Sequence, residues 1–288
     1  MNTNYQLSVD TGRLAIENGT ANPKWFRPDV DPHNIRNLMQ KSDAIAIRDK
    51  TMWLGMMIVT AGCAVTLWPS VWSVPFWLVY GVLYGSAADS RWHECGHKTA
   101  FKTTWMNNAV YQLASFMIMR NPAIWQASHV RHHTDTIIVG RDPEIVAMRP
   151  PDLARIALAF VGVVDVYIAF KRMILHASGR IDSEEATYVA AKDHAKVFRV
   201  ARIWLFIYGC TIAAAVLMTS LLPLMLIGFP RLYGAWHHVL TGLLQHVGLA
   251  ENVSDHRLNT RTVLMNPVSR FIYLNMNYHL EHHLFTMV

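Results

Sequence analysis

Apolar residues run in two long blocks along this chain, and those blocks frame everything between them. From Thr51 to Ala88 there is no Asp, Glu, Lys, Arg or His, and from Ile203 to Pro230 there is again none. A helix rises about 1.5 Å per residue, so one crossing of a bilayer core takes about 20 apolar residues. The first block is about twice that length. Pro69 and Ser70 interrupt it among Trp68, Trp72 and Trp77, which predicts a helical hairpin with its tip in an aromatic interface belt. Its spans are expected over 51–68 and 71–88. The second block is shorter, and Pro223 and Gly228-Phe229-Pro230 break it. A second hairpin needs spans over 203–220 and 222–243, the latter taking in Arg231, His237 and His238. The competing reading is one long span followed by an interfacial or re-entrant helix. Residues 153–170 include Arg155 and Asp165 and read as an interfacial helix rather than a span.

The expected architecture is an all-α integral membrane protein with two transmembrane helical hairpins, about four spans, and a cytoplasmic helical cap. Charge placement sets the orientation. Lys and Arg number 7 in residues 1–50, 15 in 89–202 and 4 in 203–288, and the expected hairpin tips have none. By the positive-inside rule the N-terminus, the 89–202 segment and the C-terminus face the cytoplasm, and a bacterial inner membrane is the expected setting. Residues 1–50, with Pro23, Pro28 and Pro32, read as a polar cytoplasmic arm, and 51–288 as a single membrane domain. The arm lacks the continuous apolar stretch of a cleavable signal peptide. Composition agrees: 52% of residues are hydrophobic and 16% charged, against about 25% charged in soluble domains. A net charge of +6 needs no nucleic acid, since anionic membrane lipids or an acidic electron-transfer partner account for it. Cys63, Cys95 and Cys210 offer no disulfide framework and fit a reducing compartment.

The histidines change the picture from a membrane protein to a candidate enzyme. Eight of the 15 fall in three clusters: His93 and His97 in HECGH; His129, His132 and His133 in HVRHH; His279, His282 and His283 in HLEHH. Spacings of three and four put side chains on one helix face, so each cluster can aim its imidazoles at one point. The expected topology returns all three clusters to one membrane face. Eight imidazoles exceed what one four-coordinate zinc can use. They suit two ions with open positions, so the cap is expected to hold a dimetal site, and imidazole is a good iron ligand. HECGH also matches HExxH, in which Glu94 is the general base of a zinc protease. That reading leaves the second and third clusters unexplained, and Asp89, Arg91, Lys98 and Lys102 flank the motif where membrane proteases have apolar helix. A metal or haem carrier accounts for histidines and spans, but Met or Cys ligands favoured by copper carriers are missing.

The ordered set HxxxH, HxxHH, HxxHH, laid around apolar hairpins from about Met52 to the C-terminus, resembles the membrane fatty acid desaturase family and its hydroxylase relatives. The stretches RHHTDTIIVGRDPE, LLQHVGLAENVSDHRLNTRT and NMNYHLEHHLF are most similar to its bacterial branch, with dihydrorhizobitoxine-desaturase-like and hydrocarbon-oxygenase-like members. The resemblance implies that the eight clustered histidines bind two Fe ions. It adds His246 in LLQHVG as a ninth ligand, with His237 and His238 as weaker candidates. It implies O2 as co-substrate and oxidation of unactivated C–H bonds in a fatty-acyl or other lipid-like chain, by desaturation or, in the same family, hydroxylation. Asp135, Asp142, Asp255 and His256 are candidates to orient ligand imidazoles. Trp92, Trp105, Trp125 and Tyr278 lie near the clusters and are candidates to line an apolar substrate pocket. One departure is Thr286, where the family usually has Pro; the cytoplasmic segment that follows in relatives is expected to be shortened. There is no cysteine set for an iron–sulfur cluster, no dinucleotide fingerprint and no HPGG-type haem segment. Electrons are therefore expected from a separate ferredoxin-, rubredoxin- or cytochrome-type donor with its reductase. Arg149, Arg155, Lys171 and Arg172 are its candidate dock, or else ordinary positive-inside charge.

Overall fold

The computed structural model describes residues 4–288, and among them every regular element is helical. A lone antiparallel bridge pairs Thr262 with Tyr278. Two helices, Val71–Gly96 and Ala191–Leu217, are long and apolar enough to cross a membrane by length and composition. A third crossing results if Leu153–Phe160 and Val163–Ala177, bent by 85°, count as one broken span.

Three expectations about the spans change in detail. The apolar stretch 51–68 belongs to a longer helix, Asp43–Thr66, whose early turns carry Asp43, Arg48, Asp49 and Lys50, and this helix is not one of the two that qualify by length and composition. The expected span 222–243 is not one helix but three pieces, Leu222–Leu226, Pro230–Tyr233 and Ala235–His246. Extended backbone at Ile227 and a left-handed Gly228 (φ +96°) end the first piece, and Pro230 can begin a helix but not continue one. The interfacial helix expected over 153–170 is two helices, broken at Gly162, whose φ is +69°. A Cβ at Gly162 would lie 2.1 Å from the Arg231 carbonyl oxygen, so both the turn and the approach need glycine.

The helix Val71–Gly96 positions the site. It does not stop at Ala88, as the charge pattern predicts, but runs on through HECGH. On the way it passes through a π-helical turn, Leu83–Ala87, which loosens the regular bonding and leaves carbonyls for other donors. Trp53 Nε1 donates to Leu83 O at 2.9 Å and Arg231 Nη1 to Gly85 O at 2.8 Å. The N-terminal arm is fastened to the far end of the molecule. Asn22 N donates to Asp135, Trp25 Nε1 to Thr134 O and Phe26 N to Ser254 O. The helix Asp43–Thr66 runs unbroken across the expected arm boundary at 50/51.

Backbones meet where Gly81 crosses Gly234. A Cβ at Gly234 would lie 1.9 Å from Gly81 O, whereas one at Gly242 meets nothing within 4 Å. Small residues let helices approach this closely, and overpacking costs about 1–3 kcal/mol. Gly234→Ala is therefore expected to lower the melting temperature of detergent-solubilised protein by several degrees. Gly242→Ala should leave it unchanged, and equal effects would contradict this crossing.

Candidate metal centre

Each histidine cluster is delivered by a local device. His93 and His97 sit one turn apart at the end of Val71–Gly96. The second cluster lies in the last turns of Pro122–Thr134, which Asn121 starts by accepting from Ala123 N with Pro122 at the first helical position. The third occupies the short helix His279–Leu284. Two bonds between Asn277 and Val263, one backbone at 2.9 Å and one from Nδ2 at 2.8 Å, hold the segment leading into it. His246 ends the helix Ala235–His246.

The nine histidines converge in two adjoining groups. His93, His97, His129, His133 and His282 form the first, and His132, His246, His279 and His283 the second; within each, one ring nitrogen per residue lies within 4.8 Å of all the others. The rings of His133 and His283 are 4.5 Å apart, so the groups abut. The Nε2 atoms face one another: His97 to His129 at 2.9 Å, His129 to His133 at 3.1 Å and His133 to His282 at 3.0 Å. In the second group His279 Nε2 lies 3.1 Å from His246 Nε2 and 3.2 Å from His283 Nε2.

The other ring nitrogens explain why this crowding fits cations. His132 Nδ1 donates to Asp142 at 2.9 Å, His129 Nδ1 to Glu144 at 3.1 Å and His246 Nδ1 to the Asn259 carbonyl at 2.7 Å. Those acceptors fix the proton on Nδ1 and leave Nε2 free to ligate. Facing lone pairs about 3 Å apart repel unless something positive stands between them, and buried His93 Nε2 has no partner among the described residues. Nitrogens that share one ion stand about 3 Å apart, as these Nε2 pairs do.

Electrostatics agree. Burial, reinforced by neighbouring imidazoles, pushes the pKa values of His133, His279, His282 and His283 well below the ordinary histidine value. Burial likewise takes His246 down to about 3. These rings are neutral at pH 7, as metal ligands must be. Burial also lowers His132, but Asp142 outweighs it and raises the value to about 9; a cation held by His132 would have to displace that second proton. For Glu144, burial pushes upward and His129 outweighs it, to about 2, so the carboxylate stays ionised. Replacing Asp142 by Asn should weaken metal retention by about 10–100-fold. A chelator-competition titration reads this directly, and wild-type retention would remove Asp142 from that role.

Of the four residues expected to orient ligand imidazoles, only Asp142 bonds a grouped histidine, His132. Asp135 is ion-paired with Arg131 and Arg141, and Asp255 caps a short helix and holds Arg257. His256 stacks on Trp25 at 4.0 Å, with its ring 5.0 Å from that of His283. Glu144, unread in the sequence, does what Asp135 was expected to do; its signal was the acid two positions beyond Asp142 in RDPE. His237 meets Ser86, and His238 meets Asp89 and Arg120, so neither belongs to the two groups. Trp92 and Trp125 pack together near His129, while Trp105 is largely exposed. Arg149 and Arg172 of the expected donor dock are paired with Glu251 and with Glu184 and Glu185. Glu94 is ion-paired with Lys50 Nζ at 3.0 Å, whereas the base of a zinc protease has to be free to take a proton from water.

Comparison with known proteins gives the same direction. Residues 67–288 match the family model described as fatty acid desaturase. An omega-6 fatty acid desaturase, endoplasmic reticulum isozyme 1, from Glycine max is 27% identical over 124 residues, covering 42% of this chain and 31% of that protein. A Delta(12)-acyl-lipid-desaturase from Punica granatum is 26% identical over 124 residues, 42% of this chain and 32% of its own length. A bifunctional fatty acid conjugase/Delta(12)-oleate desaturase from the same plant is 29% identical over 126 residues, again 42% and 31%. The matched stretch thus spans about a third of these relatives. With the family model covering most of the chain and nine histidines in two groups that could each hold a metal ion, this membrane protein belongs to the fatty acid desaturase family.

Proposed function

We propose that the protein is a di-iron enzyme that uses O2 to desaturate a fatty-acyl or other lipid-like chain. The observation that carries this reading is the double convergence of nine imidazoles, three of which, His132, His129 and His246, commit their outer nitrogens to Asp142, Glu144 and Asn259. His93, His97, His129, His133 and His282 would hold one iron, and His132, His246, His279 and His283 the other. When bound, the iron pair supplies activation of O2 and the oxidation of an unactivated C–H bond. Burial keeps His133, His246, His279, His282 and His283 neutral, Asp142, Glu144 and Asn259 fix the tautomers of His132, His129 and His246, and bulk water is kept from the second group, where His132, His279 and His283 are buried. Desaturation is preferred to hydroxylation because the named relatives are desaturases.

Around this site the proposed arrangement is a single membrane domain, 51–288, with the arm 1–50 against its cytoplasmic face. The four-crossing topology requires the broken segment 222–243 to reach across the bilayer, and the Lys and Arg distribution supports a cytoplasm-facing site in a bacterial inner membrane. Electrons come from a separate ferredoxin, rubredoxin or cytochrome with its reductase.

The test is the metal content of anaerobically purified protein, with Mössbauer spectroscopy after growth on iron-57. Two coupled irons per chain are expected. One zinc per chain in iron-replete cells, with proteolysis lost in Glu94→Gln, would overturn the proposal.

A further inference from the structure

Away from the histidines, a cavity of about 170 Å³ lies between the helices Val163–Ala177 and Ala191–Leu217. The start of Pro122–Thr134 closes one side, through Ile124 and Trp125. Much of its wall is apolar, including Met119, Met173 and Trp204. Into this wall comes Arg231, only 4% exposed.

The charges around the cavity can be accounted for one by one. Arg120 is ion-paired with Asp89 and touches His238. Arg172 faces Glu184 and Glu185, and His176 binds Glu185 at 2.6 Å. Arg231 differs. Among the described residues its side chain makes one hydrogen bond, Nη1 to Gly85 O, and no ion pair within 4.0 Å. Asp165, the remaining acid of the wall, likewise makes no ion pair within that distance. A guanidinium offers five donors, and leaving a buried charge without a partner is strongly unfavourable. An arginine that is buried, beside space, and short of partners is placed to receive an anion.

We propose that this cavity binds the anionic end of an amphiphile, with the acid group on Arg231 and the first methylenes against Met119, Met173 and Trp204. Size limits the ligand. A cavity of about 150 Å³ accommodates benzene, so an acid head with roughly six carbons fills this one. A nucleotide-bearing carrier does not fit. Asp165 weakens the site by standing near the same guanidinium, and it sets a second handle on affinity. The site goes beyond the metal centre and binds without turnover, so its failure and that of the di-iron reading are separable.

The experiment is calorimetric titration of hexanoate, hexyl phosphate and hexanol into protein in lipid nanodiscs. Hexanoate or hexyl phosphate should bind while hexanol binds about tenfold more weakly or not at all, since a hydrogen bond to a charged group is worth that much. Tighter hexanoate assigns the site to fatty acids, and tighter hexyl phosphate to phosphate-bearing lipids; both support an anion site. Arg231→Met should remove the preference for anions, and Asp165→Asn should tighten it severalfold. Because Arg231→Met removes a buried group, Ala201→Leu provides the second variant. Ala201 is in the wall, and filling the space there should block binding while the charges remain. Hexanol binding as tightly as hexanoate, no binding of either anion, or anion affinity unchanged in both Arg231→Met and Ala201→Leu would overturn the proposal.

Discussion

A His283→Ala protein is expected to insert in the membrane, keep iron in the first group and lose it from the second, with substrate oxidation down by about a thousandfold or more. The reasons lie in the second group. It has four members to the first group's five, so one loss leaves three. His283 Nε2 stands 3.2 Å from His279 Nε2, and its ring adjoins His133 of the other group at 4.5 Å. Removing it therefore opens the seam between the two groups as well as one coordination position. The matched control is His237→Ala. His237 is also buried, but its Nδ1 meets Ser86 Oγ at 2.6 Å and it lies outside both groups. That variant should retain both irons. Iron per chain and product formed with a supplied reductant are the measurements, and full turnover by His283→Ala would remove it from the ligand set.

Arg91→Met should cost about 3–5 kcal/mol and loosen the third cluster, although Arg91 touches no histidine of the site. Its side chain is 0% exposed. Nη2 donates to Asp49 at 2.8 Å, and Nη1 to the carbonyls of Phe271 and Ile272 at 3.0 and 2.9 Å. One guanidinium thus ties the helix bearing His93 to the helix Asp43–Thr66 and to the segment that leads to His279. Methionine of similar length fills the space but leaves Asp49 with Lys50 alone, and Lys50 is shared with Glu94. Breaking one partner of a buried pair is far worse than replacing both. The double variant Arg91→Met, Asp49→Leu should therefore recover much of the loss. Melting temperature and iron content read the effect, and a single variant within a degree of wild type would show that the pair holds nothing.

The clusters were legible because metal chemistry imposes residue type and spacing together. HECGH, HVRHH and HLEHH needed only helical periodicity to aim their rings, and each lies on a helix. Partners set by tertiary approach were not legible. Asp135 and Glu144 are both acids near the second cluster, and only the turn after Thr134 decides that Arg131 and Arg141 take one and His129 the other. The segment 222–243 was legible only in part for a related reason. Its apolarity reads as one unbroken helix, whereas its broken shape comes from Gly228, Pro230 and the contact of Gly234 with Gly81. Trp25 was unreadable altogether, since its stacking on His256 joins positions far apart in the chain.

The paired contacts within the site also differ widely in how much chain they enclose. His97 and His129 are 32 positions apart and His246 and His279 33, whereas His133 and His282 are 149 apart. A cation held across the longest of these fastens a loop that an unfolded chain leaves open, so its binding free energy becomes folding free energy. At a free metal concentration a hundredfold above the dissociation constant the gain is about 2.7 kcal/mol, a sizeable share of what holds a domain together. Metal supply would then govern how long each molecule survives in the cell as well as whether it works.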